Sequence, residues 1–150
     1  MADLQSLAEA VRVDLAAASL GVTLTVTRKF DPDADLKDIP TGPGAALVTV
    51  IGRSVSTTRE SRGSVRDTFT VDVAIRAKVP QANPDDACDG LSVLHRKIKD
   101  YWWNQAVDGT AFIGVEETPW SVSHLTDQRV WVSTMTLSFL QTRSIPARGS

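Results

Sequence analysis

Cys88 and His95 come closest to a nucleophile–base pair in this 150-residue chain, which has one cysteine and two histidines. Cys88 falls near the start of a helical pattern, where a helix dipole can lower a thiol pKa. His95 lies seven positions on. That is about two helical turns, so one helix cannot bring the two within hydrogen-bond reach. The competing reading is that Cys88 is a small core residue. His124 follows Trp120 in an expected loop, too isolated to pair with His95. Glu116 and Glu117 are adjacent on an expected strand and point to opposite faces, so they make a poor acid–base pair. Asp31, Asp33 and Asp35 resemble the start of a calcium loop, but Leu36 and Gly42 stand where that loop needs Gly and Glu. Gly42-Pro43-Gly44 lacks the Lys and Ser/Thr of a phosphate loop and reads as a turn. A single cysteine allows neither an intrachain disulfide nor a multi-cysteine zinc site. No catalytic residue, cofactor or metal is therefore expected.

Two groups of side chains suit binding better. Arg53, Arg59, Arg62 and Arg66 fall close together among Ser and Thr, interrupted by Glu60. They read either as a solvated hairpin or as an arm that docks on an acidic neighbour or faces DNA. The acidic run Asp31–Asp38 offers such a neighbour on another copy. Tyr101, Trp102 and Trp103 are consecutive on a helix and cannot all face one core. Trp120 follows Pro119 in the expected loop. Trp102, Trp103 and Trp120 are thus candidates for interface anchors or for rings that close the end of the core.

Composition sets the frame for these residues. Hydrophobic residues make up 42% and charged residues 23%, as in globular domains. The net charge of −2 argues against a dedicated nucleic-acid binder, which carries a basic excess. No targeting segment and no membrane span are expected. The length fits one domain over 1–150, with its core in about 2–142 and a tail over 143–150.

Leu4, Leu7, Ala8, Val11, Leu15 and Ala18 follow helical spacing, with Asp3 as cap and Gly21 past the end. A strand follows around Leu24 and Val26. Phe30–Gly44, rich in Pro, Gly and Asp, is expected to be a loop. Leu47–Ile51 reads as a strand, Arg53–Ser64 as a polar turn region, and Val65–Val79 as a long alternating strand. Asn83-Pro84-Asp85-Asp86 starts a second helix that carries Leu91, Leu94, Ile98 and Tyr101 on one face. Strands around Ala111–Glu117 and Arg129–Thr142 complete the chain. The expected fold is α+β: a mostly antiparallel sheet of about four to five strands, with two helices packed on one face. Strand faces rich in Ser and Thr, with few guarding edge charges, favour an assembly protein.

This pattern resembles the tail terminator, or tail completion, proteins of tailed bacteriophages. The likeness rests on the leading helix, the Pro/Gly loop ending in Ala45-Ala46-Leu47-Val48-Thr49-Val50, the polar hairpin with its long strand, the Asn-Pro-Asp-Asp helix and the last long strand. It covers roughly Ala2 to Thr142. The resemblance implies a non-enzymatic virion protein that assembles in the host cytoplasm. It implies a homo-hexameric ring that caps the head-proximal end of the tail tube, stops tube polymerisation and offers a surface to the neck. Partners would be other copies, the tube protein and a connector protein, and DNA would pass through the lumen unbound. Interface candidates are then Asp31, Asp33 and Asp35 with Arg53, Arg59, Arg62 and Arg66, and Trp102, Trp103 and Trp120. The alternatives are another neck component, or a nucleic-acid-binding module using the Arg53–Arg66 arm.

Overall fold

The computed structural model describes residues 3–18, 20, 23–28, 39, 45–80, 84–125 and 128–145. Helix α1 spans Leu4–Ala17. Strands β1 (Thr23–Arg28), β2 (Ala45–Ser61) and β3 (Ser64–Val79) follow. Helix α2 is Pro84–Tyr101, and β4 (Ala106–Val107), β5 (Thr110–Leu125) and β6 (Gln128–Ser144) complete the order.

The strands form one sheet in the order β1-β2-β3-β6-β5-β4. Among the described residues only β1 and β2 pair in parallel, and the other four pairings are antiparallel. This corrects the expectation of four to five strands, since the described residues alone carry six, and the sheet curls as a half-barrel. The added strand is the two-residue β4. It is tied to β5 by Asp108 and Gly109, both at positive φ (51° and 77°), which suits a tight hairpin turn.

Two longer corrections follow from strand length. Arg53–Ser64 is not a turn region: β2 continues to Ser61 and only Arg62 and Gly63 turn. Ser, Thr and Val suit a pleated backbone, and hydroxyl pairs such as Ser54–Thr70 (2.5 Å) link the strands there. Likewise Trp120 and His124 lie on β5 rather than in a loop. The alternation is hidden because register shifts break it between Phe112 and Gly114 and between Thr118 and Ser121. At the end of the chain, Arg143 and Ser144 belong to β6 rather than to a tail.

The core lies between the helices and one face of the sheet. Leu7, Val11 and Leu15 of α1 and Leu91, Leu94 and Ile98 of α2 join Val48, Val73, Met135 and Phe139 in one buried cluster. Each such side chain contributes about 1.5–3 kcal/mol of burial. Asp3 caps α1 by accepting from the Ser6 backbone N–H (2.7 Å), and the Ser6 hydroxyl accepts from the Asp3 N–H (3.1 Å). Pro84 opens α2, with Asp85 and Asp86 in its first turn. On the opposite face Ile39 packs with Leu47 and Val130 in a smaller cluster. Ile39 is the one described residue of the expected Phe30–Gly44 loop. Asp31, Asp33, Asp35, Gly21 and Asn83 lie outside the described residues.

Candidate interaction surface

Beyond the helices, β2 carries nine consecutive exposed residues, Arg53 to Ser61. It stays paired with β3 throughout, and β3 stays paired with β6 down to Ser64 and Ser144. The extension is thus three strands deep at its inner side, with β2 at its rim. β1 pairs with β2 only as far as Val50. Among the described residues, the outer edge of β2 past that point has no strand beside it.

The four candidate arginines differ in what they touch. Arg53 reaches Asp72 Oδ1 (3.5 Å) and Thr136 Oγ1 (3.3 Å) across the sheet. Arg66 pairs with Glu60 (2.7 Å), which holds the Glu60 carboxyl below its usual range. Arg59 and Arg62 are exposed and have no partner among the described residues. An arginine that the sequence reading did not single out has the firmest role. Arg143 Nε donates to Asp67 Oδ2 (2.6 Å), and Thr57 donates to Asp67 Oδ1 (2.6 Å). Asp67 is only 5% exposed, and these partners, Thr57 foremost, hold its carboxyl below its ordinary value. Its place on the buried side of β3, in alternation with Val65 and Phe69, is the sequence signal for that role.

The aromatic candidates separate as well. Trp102 is fully buried, edge-on to Phe139, and is no surface anchor and no base-stacking platform. Trp103 and Trp120 are each 48% exposed. Trp103 lies edge-on to Phe112, and Trp120 stacks on the buried Trp131 at 5.9 Å between ring centres. With Ile113 and Val122 they give the β5 side of the molecule its exposed apolar groups. β4 covers β5 only at Thr110 and Ala111, so among the described residues the outer edge of β5 is open from Phe112 onward.

A Ser–His–Glu chain lies beneath this side. His95 Nδ1 is 2.9 Å from the Ser133 hydroxyl, and His95 Nε2 is 2.6 Å from Glu117 Oε2. Lys99 donates to Glu117 Oε1 (3.0 Å). His95 and Lys99 together lower the Glu117 pKa, His95 more. The atom types match a nucleophile–base–acid set, but Ser133 is 2% exposed, and no substrate carbonyl can approach it. The chain satisfies buried polar groups and fastens α2 to β5 and β6. It joins residues 38 and 22 positions apart, which no local spacing shows. Cys88 packs against the core, and its thiol is raised rather than lowered: burial first, then Asp85 and Asp89, push it up. No group of three metal-ligating side chains occurs among the described residues, and no helix there is long and apolar enough to cross a membrane.

The chain matches no protein-family model, and no curated protein is similar to it. Among solved structures it is similar to a chain from the virion of a native gene transfer agent particle. The identity is 12%, with 90% of this chain and 95% of that chain covered and a TM-score of 0.48. A second solved chain is similar at 8% identity, 91% and 92% coverage and a TM-score of 0.41. Likeness at this level concerns the overall course of the chain and transfers no residue roles.

Proposed function

We propose that this protein is a structural virion subunit that forms a ring on the head-proximal end of a phage tail tube, stops tube growth and joins the tail to the head. The observation that carries the reading is the stretch of β2 from Arg53 to Ser61, exposed along its whole length beyond the helices. A monomer gains little by extending a strand whose own side chains all stay exposed. An assembly subunit gains a surface for its neighbours. The resemblance in element order to tail terminators supplies the identity of the assembly. Action by surface complementarity needs no catalytic group, and a head-to-tail contact that closes gives a ring.

The reading is tested by deleting the gene in the phage or prophage that encodes the protein and imaging the lysate by electron microscopy. Overlong or ragged tails beside filled, unattached heads are expected. Tails of normal length beside unattached heads would instead make it a neck component. Complete particles would remove the virion role.

A further inference from the structure

We infer that neighbouring copies join edge to edge, the open edge of β2 in one copy pairing with the open edge of β5 in the next. The inference rests on the ring reading and names the interface that builds the ring. Each edge has a regular run between register shifts, Ser54–Arg59 on β2 and Gly114–Thr118 on β5. The runs are similar in length, about 20 Å and about 17 Å at the usual strand rise. Between them stand three antiparallel pairings, β2–β3, β3–β6 and β6–β5, so β5 runs opposite to β2. One sheet can therefore continue into the next as an antiparallel pair.

Charge selects this pairing over two like edges. The β2 side carries Arg53, Arg59 and Arg62 against Glu60, whereas the β5 run carries Glu116 and Glu117. The signs oppose on the face away from the helices; on the helix-bearing face Glu117 is already held by His95 and Lys99. Arg59 lies opposite Val65, and Glu117 opposite Met135, on the helix-bearing side. On the other side Arg53, Asp72, Thr136 and Glu116 form one row across the sheet, with a base at one end and an acid at the other. Glu116 has no partner among the described residues. Two β2 edges would bring arginines together, and like charges across a strand pair are destabilising. Pro119 has no N–H to donate and sits just past the β5 run, which limits the pairing to that run.

The test is cross-linking of the full chain in a Cys88→Ser background with a short bismaleimide. Ser56→Cys and Thr118→Cys are made singly and mixed at high concentration, and also combined in one chain. Dimers are expected from the mixture, and a ladder from the combined variant. Neither single variant alone should cross-link. Reversing Arg53→Glu with Arg59→Glu should lower the dimer yield about tenfold, and Glu116→Arg in the other partner should restore it. A mixture that stays monomeric overturns the proposal. Dimers from Ser56→Cys alone overturn it in favour of a two-fold contact. The two readings fail separately. Overlong tails on deletion without these cross-links leave the tail role and remove this interface. Cross-links with complete particles leave the interface in an assembly of another kind.

Discussion

Single residues here are constrained by what crosses the chain rather than by their neighbours in sequence. A Cβ added at Gly52 would stand 2.9 Å from Leu4 Cγ, so α1 lies directly on the β2 backbone there. Gly52→Ala is expected to cost about 1–3 kcal/mol in denaturant unfolding. In a Leu4→Ala background the same change should be close to neutral, because the crowding atom is gone. Asp67 gives a pH signature. Its carboxyl is held below the ordinary value of 3.8, so its stabilisation is present above that pH and is lost as pH falls through the folded-state value. Asp67→Asn should lower stability near neutrality and flatten the fall in melting temperature between about pH 5 and pH 2. The Cys88 thiol, raised by burial and acids, should react with a disulfide reagent more slowly at neutral pH than free cysteine does.

At the scale of elements, both helices are fastened to the sheet by polar ties as well as by apolar packing. The Ser6 hydroxyl that completes the α1 cap also donates to Asp108 Oδ2 (2.6 Å) in the β4–β5 turn. Asp3→Ala removes the cap alone and should cost about 1 kcal/mol. Ser6→Ala keeps the backbone N–H that Asp3 accepts but frees the turn, so hydrogen exchange should rise at Val107 and Thr110 more than in α1. For α2 the tie is His95. His95→Ala leaves the buried Ser133 hydroxyl without its partner, at about 1–3 kcal/mol by thermal unfolding. Strand extent escaped the sequence because its cues were ambiguous. Ser, Thr and Arg suit a turn as well as an exposed rim strand, and two register shifts in β5 conceal its alternation.

For the whole molecule, the charge arrangement predicts weak binding to nucleic acid. The net charge is −2, Arg66 is paired, and the buried Trp102 cannot stack on a base. Single-stranded and duplex DNA are expected to bind no tighter than roughly micromolar at physiological salt, the range of non-specific binding. A filter-binding titration checks this. Sequence-tolerant nanomolar binding, lost in Arg59→Ala with Arg62→Ala, would return the arm to a nucleic-acid role.

The sequence by itself determined the two helices, the Asp3 cap of α1, their apolar faces, and the alternation of β3 and β6. Those features depend on side-chain period and on end residues within a few positions of one another. It also determined that Glu116 and Glu117 point apart. Only the tertiary structure decided which strands lie at the rims and how far β2 and β5 run. It alone buried Trp102 while exposing Trp103, and it brought Asp67 to Arg143 and His95 to Ser133 and Glu117. Those outcomes depend on pairings across 22 to 76 positions, which the order of strands in the sheet fixes and no local pattern encodes.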